Sequence, residues 1–545
     1  MIEHLAMRCL RAMLGSIAAS ALLLSAGGTG VAAQAVTPIP GDPVAAPIGK
    51  IAGKLLGSGV KAYLGIPYAA PPVRELRWRE PQPLKPWVGV YNADRFAAEC
   101  VQVLRRHNLN HYFGEEPTSE DCLYLNIWVP ADAKPDARLP VLVYIYGGGF
   151  TIGSAGMALY GGESVAKSEA IFVNFNYRLG ALGFMAHPQL TKESSNNASG
   201  NYGLLDQVAA LQWIRSNISS FGGDPDNVTI SGQSAGSSSV AFLQASPLAK
   251  GLFQRAVGLS GSPFGNADPL PSRAEAEKAG LAIQETLAAN ALGELRELPA
   301  DKIVAVQRDC QLGCAGTIRV SPSVDGYFLP DTPVAIFARG RHNDVPLLVG
   351  FTSDESSNDL SKAKNLAEYK AAAQRLYGDR ADAFLRLYPA ATDAEAREMG
   401  HVAAREAMME GRMRAWAKAQ GKWSGSPIYM FMFSRVHPFS ESAKFYDDPA
   451  SIGSYHTSDI PYWLGSQDAL NLFRVTRDWT AYDRELSDRM LASLVAFAKS
   501  GDPSTAAAPW PRWSVNAEQL VDFGDDVLLR SMNSERLDFY LAGNR

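Results

Sequence analysis

Ser234 stands in Gly232-Gln233-Ser234-Ala235-Gly236, where the chain changes from one periodicity to another. Before it, Asn227-Val228-Thr229-Ile230 is apolar and β-branched and reads as a strand. After it, Ser237 to Leu243 is compatible with a helix. A serine in so sharp a strand-to-helix turn stands clear of the backbone. Glycines two residues before and after remove Cβ atoms that would collide there. The chemistry offered is nucleophilic attack on a carbonyl. The pentapeptide recurs by chance in about one chain in five of this length, so its surroundings must carry the reading.

A serine hydroxyl is a weak nucleophile at neutral pH. It needs a base, an acid to orient that base, and donors for the oxyanion. Folds built on this elbow supply them in the chain order serine, acid, histidine. Upstream, Tyr146-Gly147-Gly148-Gly149-Phe150 follows an apolar run, and successive glycines let backbone N–H groups approach a substrate oxygen. Ala235 would add a donor at the start of the following helix. For the acid, Gly350-Phe351-Thr352-Ser353-Asp354-Glu355-Ser356 offers both Asp354 and Glu355. For the base, His437 and His456 both lie beyond the acid. The residues alone leave both choices open.

The elements that must position these groups are legible. Leu139 to Tyr146, Ile171 to Phe175, Val228 to Ile230, Ala256 to Leu259, Pro346 to Val349 and Ile428 to Phe433 are short, nearly continuous apolar runs. Strands buried on both faces look like this. Gly203 to Ser216 has helical periodicity, and Arg484 to Lys499 is the last strong helix, stopped by Ser500-Gly501-Asp502-Pro503. Strands alternating with helices predict an α/β fold, a mostly parallel central sheet covered by helices on both faces. Ala363 to Gly421 is charged, alanine-rich and helical, and is expected to be an insertion packed over the sheet. The chain has 545 residues, 46% hydrophobic and 20% charged, with a net charge of −5. That balance is ordinary for a globular chain, and no basic block points to nucleic acid.

Residues 1–35 differ in kind. Arg8 and Arg11 precede an apolar run through Leu22-Leu23-Leu24, and small residues follow at Val31-Ala32-Ala33 and Ala33-Gln34-Ala35. This reads as a secretory signal, too short in its apolar core for a membrane span. The expected organisation is a signal at 1–35 and a single domain at 36–545. No later run approaches 18 apolar residues, so the mature chain is expected to be free of the membrane, secreted or periplasmic. Val36 to Pro47, rich in proline and alanine, reads as a leader before the domain. Of the five cysteines, Cys9 lies in the signal. Cys100, Cys122, Cys310 and Cys314 leave an even four in an exported chain, where disulfides persist. Cys310-x-x-x-Cys314 has finger-like spacing but no second close Cys or His pair, so two local disulfides are expected and no metal.

The chain resembles the type-B carboxylesterases, the α/β-hydrolase family that includes the cholinesterases. Gly65-Ile66-Pro67-Tyr68-Ala69 with Leu76-Arg77-Trp78 resembles its N-terminal signature. Glu120-Asp121-Cys122-Leu123-Tyr124-Leu125-Asn126 resembles its second. Asn176-Tyr177-Arg178-Leu179-Gly180, Asn201 to Gln207, Phe221 to Pro225 and Phe497 to Pro503 also fit. The resemblance covers nearly the whole mature chain. It implies that Cys122 pairs with Cys100, leaving Cys310 to Cys314. It selects Glu355, which follows an aspartate, and His456, which opens an H-x-x-acidic-aliphatic-Pro-aromatic motif. It implies oxyanion donors at Gly148, Gly149 and Ala235. The implied activity is hydrolysis of small-molecule carboxylic esters through an acyl-enzyme on Ser234, with no cofactor or metal. Members that lost the serine act as binding proteins; here serine, acid, histidine and glycines all remain. A lipase or general carboxylesterase for neutral esters is the alternative.

Two departures bear on substrate. Many members carry glutamate before the nucleophile, where this chain has Gln233. The expected disulfide loop, residues 101 to 121, has no tryptophan for a choline cation but carries Arg105 and Arg106. Both disfavour a cationic substrate and make Gln233, Arg105 and Arg106 candidate substrate-binding residues. Within the family the chain resembles the secreted bacterial esterases that remove tricarballylate side chains from fumonisin mycotoxins.

Overall fold

Apolar, β-branched runs assemble side by side because a strand buried on both faces satisfies its backbone only by pairing with neighbours. In the computed structural model they form a sheet of 11 strands among the described residues. The structure describes residues 36–103, 117–307, 318–423, 425–445 and 449–541. Contacts divide the chain into Met1–Thr37 and Pro38–Arg545, and every element below lies in the second.

In chain order the strands are β1 (Lys54–Leu55), β2 (Lys61–Pro67), β3 (Tyr124–Val129), β4 (Leu139–Ile145), β5 (Ile171–Phe175) and β6 (Gly223–Gln233). They continue with β7 (Arg255–Leu259), β8 (Leu347–Thr352), β9 (Ile428–Phe433), β10 (Gln519–Phe523) and β11 (Val527–Ser531). Their spatial order is β11-β10-β9-β8-β7-β6-β4-β5-β3-β2-β1. From β5 to β10 every neighbouring pair is parallel. Antiparallel pairs close both edges. The chain leaves β4 toward β5 on one side and leaves β6 toward β7 on the other. Connections diverging from adjacent parallel strands open a crevice at their carboxyl ends. Ile145 at the end of β4 is in register with Gly232 near the end of β6. The Gly147–Gly149 loop and Ser234 therefore flank that crevice.

The helices at 366–421 build a small core of their own around Leu360, Tyr369, Phe384 and Tyr388. The last of them, Gly411–Gly421, keys into the sheet through Trp416. A Cβ on Gly258 of β7 would lie 2.4 Å from that ring. The C-terminal helix of the sequence reading spans Ala481–Ser500, with a Thr480–Asp483 capping box and Gly501 at φ 81° ending it.

Three expectations need correction or placement. The stretch read as a leader is structured at its end: Val44–Ala46 pairs with Gly49–Ala52 in a three-stranded sheet. Asp42 anchors it, accepting from Gly53 N at 2.7 Å and Tyr63 Oη at 2.8 Å, and Ile39 and Ile48 are buried. Proline at an edge costs no ladder bond, so its composition misled. The edge strand β11 gave a weaker signal, because it exposes most of its length. Residues 1–35, Arg105, Arg106, Cys310 and Cys314 lie outside the described residues.

Cys100 and Cys122 are joined by a disulfide and both are buried. The bond spans a sequence separation of 22, and closing a loop of that size is worth roughly 3 kcal/mol in the chain-entropy model. A Cys100→Ser, Cys122→Ser double variant should unfold at lower denaturant than the parent. An unchanged midpoint would show that the bond constrains little.

Candidate active site

Ser234 sits in the turn between β6 and the helix Ala235–Ala245, at φ 58° and ψ −121°. The surroundings over-determine this left-handed conformation. Ser234 N donates to Leu259 O at 2.8 Å, and its carbonyl accepts from Ser238 N at 2.9 Å. A Cβ on Gly236 would lie 2.0 Å from Ile145 O, and one on Gly232 would lie 2.5 Å from Gly236 O. These two positions admit only glycine, as the spacing of the pentapeptide requires. The Ser234 side chain makes no capping bond to the helix, which leaves its hydroxyl available.

Glu355 follows the end of β8. Its side chain is fully buried, with Oε1 accepting from Thr352 N at 2.9 Å and Oε2 from His456 Nδ1 at 2.5 Å. Asp354 points elsewhere, accepting from Ser454 N at 2.9 Å and Ser353 Oγ at 2.6 Å. It anchors the His456 loop without touching the imidazole. Of the two acids left open by the residues, Glu355 meets the ring.

His456 has 38% of its side chain exposed. Burial works against its cation, but the hydrogen bond and charge of Glu355, aided by Asp459, outweigh that and raise its pKa above the ordinary 6.5. His437 is buried and its pKa is pushed down to about 3, first by burial and then by the Arg477 charge. It is a neutral strut. Its Nε2–H donates to Ser458 O at 2.7 Å, two residues from His456, and its Nδ1 accepts from Arg477 Nε at 3.0 Å.

The glycine loop after β4 turns through φ 101° at Gly148 and 64° at Gly149. Among the described residues, the N–H groups of Gly148 and Gly149 have no acceptor. Ala235 opens its helix, so its N–H has no partner within the helix either. Unpaired backbone donors beside a reactive serine can hold an oxyanion.

Gln233 is buried, and its amide Nε2 lies 3.1 Å from His456 Nε2. With Nδ1–H donating to Glu355, Nε2 is the lone-pair nitrogen and accepts from this amide. Among the described residues no hydrogen bond joins Ser234 Oγ to His456. Gln233 therefore occupies the nitrogen that would receive a serine proton. Gln233→Glu should put a carboxylate against that nitrogen and favour the imidazolium. A histidine can act as a base only as neutral imidazole, so activity that rests on His456 should be lost as pH falls through its pKa. The acid limb of kcat/KM should move up by about one unit or more, read from a pH–rate profile. An unmoved limb would mean that the Gln233–His456 contact does not govern the ring.

Ser234, Ala235, Gly149, Glu355 and His456 line a common cavity of about 850 Å³. Phe150, Phe242, Leu270 and Met409 give it apolar walls, and Arg319 and Arg412 also line it. The sequence reading missed both arginines. They lie far from Ser234 in the chain, and Arg412 stands in a stretch that reads as an ordinary charged helix. Among the described residues no helix is long and apolar enough to cross a membrane, and no cluster of His, Cys, Asp and Glu could hold a metal.

Known proteins resemble this chain over most of its length. Residues 41–540 match the model of the carboxylesterase family. The chain is 37% identical to a fumonisin B1 esterase of Sphingopyxis macrogoltabida over 86% of its own length and 84% of that protein. It is 33% identical to a para-nitrobenzyl esterase of Bacillus subtilis over 88% of its own length and 95% of that protein. A solved structure of a PNB esterase superposes with a TM-score of 0.75 at 31% identity, covering 92% of this chain and 99% of the other.

Proposed function

The chain belongs to the carboxylesterase family and is a carboxylic ester hydrolase of the α/β-hydrolase fold, and from that premise we propose that it acts through an acyl-enzyme on Ser234. His456 Nε2 takes the Ser234 proton as Oγ attacks the ester carbonyl, the Gln233 amide giving up its place. Glu355 fixes the imidazole tautomer and stabilises the imidazolium. The N–H groups of Gly148, Gly149 and Ala235 receive the oxyanion. His456 then protonates the leaving alcohol, and water, deprotonated by the same nitrogen, cleaves the acyl-enzyme. What supports this above all is the 2.5 Å hydrogen bond from His456 Nδ1 to buried Glu355 beside a strained, uncapped serine.

The substrate class we propose is esters of polycarboxylic acids, such as the tricarballylic side chains of fumonisins. Three observations support it: Gln233 in place of an acid, Arg412 on the cavity wall with no ion pair among the described residues, and a relative named for fumonisin B1. Residues 1–35 are read as a signal that directs residues 36–545, a single domain, out of the cytoplasm; the Cys100–Cys122 disulfide fits an oxidising compartment. The second reading, a neutral-ester carboxylesterase, draws on the apolar walls and the para-nitrobenzyl esterase relative.

A fluorophosphonate probe should label the purified protein at the peptide carrying Ser234, identified by mass spectrometry. Absence of labelling would defeat the acyl-enzyme. Incubation with fumonisin B1 should release tricarballylate faster than matched choline esters are cleaved. Faster cleavage of the choline esters would remove the proposed substrate class and leave the hydrolase standing.

A further inference from the structure

Arg412 is a cation on the cavity wall that makes no ion pair among the described residues, although Asp268 lines the same cavity. Arg319, the other arginine there, pairs with Asp268 at 3.3 Å. Glu355, the other carboxylate on that lining among the described residues, is buried and held by the His456 Nδ1 hydrogen bond. Arg412 instead touches neutral oxygens: Nε donates to Asn266 Oδ1 and Nη2 to Asn266 O, both at 3.3 Å. Its Nη1 has no hydrogen bond among the described residues. Burial pushes its pKa down from the ordinary value, with only the Asp268 charge opposing. A guanidinium that gives up water without an ionic partner is ready to take an anion in a bidentate fork.

The backbone around Arg412 is built to hold it there. Glu406–Glu410 forms a π-helical turn immediately before Gly411–Gly421. Such turns are rare and recur at functional sites, because the extra residue re-aims the side chains that follow. The Asn266 amide donates to Ala407 O within the turn while its own carbonyls receive Arg412. Ser262 Oγ donates to Arg412 O at 3.1 Å. One loop, residues 262–266, thus fixes both the π turn and the arginine against the cavity that Ser234 enters.

We propose that Arg412 binds a free carboxylate of the substrate's acyl group, so that the cavity selects esters whose acid carries a second, ionised carboxyl. The inference rests on the ester-hydrolase reading and names its specificity residue. Because the guanidinium is partly solvated, salt should weaken the contact without abolishing it.

The test uses the full-length mature enzyme and one secondary alcohol esterified either with tricarballylic acid or with butanoic acid. Arg412→Gln should lower the ratio of kcat/KM for the tricarballylic over the butanoic ester by roughly 10- to 100-fold, the range of a charge-assisted hydrogen bond. Arg412→Lys should recover part of that ratio. Free tricarballylate, tested as a competitive inhibitor of butanoic ester hydrolysis, should bind the parent more tightly than Arg412→Gln by a similar factor. An unchanged ratio with unchanged inhibition would overturn the role of Arg412, even if tricarballylic esters are good substrates. Conversely, inhibition that depends on Arg412 would uphold the carboxylate site even if the tricarballylic ester is cleaved slowly, and only the proposed substrate class would then fall.

Discussion

Ser234→Ala should lower turnover on every ester by several powers of ten, on the order of 10⁶, and abolish the burst that marks acyl-enzyme formation. The residual rate should still exceed that of water, because the N–H groups of Gly148, Gly149 and Ala235 would still polarise a bound carbonyl. The substitution should leave the fold intact. Ser234 makes no side-chain cap, and the bonds that hold its φ of 58° run through the backbone. The diagnostic result is therefore a large loss of turnover with an unchanged melting temperature. A variant retaining a tenth of the parent's turnover would refute the nucleophile and every step derived from it.

His456→Ala should approach the same loss, because base and nucleophile act as a unit whose removal is not additive. A Ser234→Ala, His456→Ala double variant should be scarcely worse than either alone. His437→Ala should behave differently. It removes a neutral ring wedged between Ser458 O and Arg477 Nε, taking one hydrogen-bond partner from each of two buried polar groups. Each such group costs about 1–3 kcal/mol, so this variant should melt early while keeping far more turnover than His456→Ala. Glu355→Gln should cost more activity than Asp354→Asn, since only the former touches the imidazole. Equal damage at positions 437 and 456, measured on folded protein, would mean that the base has been placed wrongly.

Much of this site was legible because tight geometry leaves few residue choices. Gly232 and Gly236 are glycines because Ile145 O and Gly236 itself crowd the places where Cβ atoms would sit. The choice between Asp354 and Glu355 was not legible from spacing, since adjacent residues after a strand differ by a turn that only the folded loop defines. Nor was the choice between two histidines, because the His437 role depends on Arg477, forty residues on. The signature residues Arg77 and Glu120 prove to be an ion pair, Arg77 buried and Glu120 partly so, joined at 2.6 Å near Cys122 of the disulfide. Their pattern is therefore read most simply as evidence of fold. The cavity arginines carried no local signal, because a long-range pocket has no periodicity to read.

The contact of Trp416 with Gly258 has a consequence for how such enzymes can be recombined. The helical layer that carries Arg412 locks into the strand next to the one bearing Ser234, with no room for even a methyl group at 258. The layer is therefore not an interchangeable cassette. A chimera that grafts residues 363–421 onto another scaffold must bring glycine at the position facing Trp416, or the graft will stand off the sheet and its wall of the cavity will open. Exchange of specificity between relatives is thus constrained by a single backbone position in the sheet, outside the grafted segment itself.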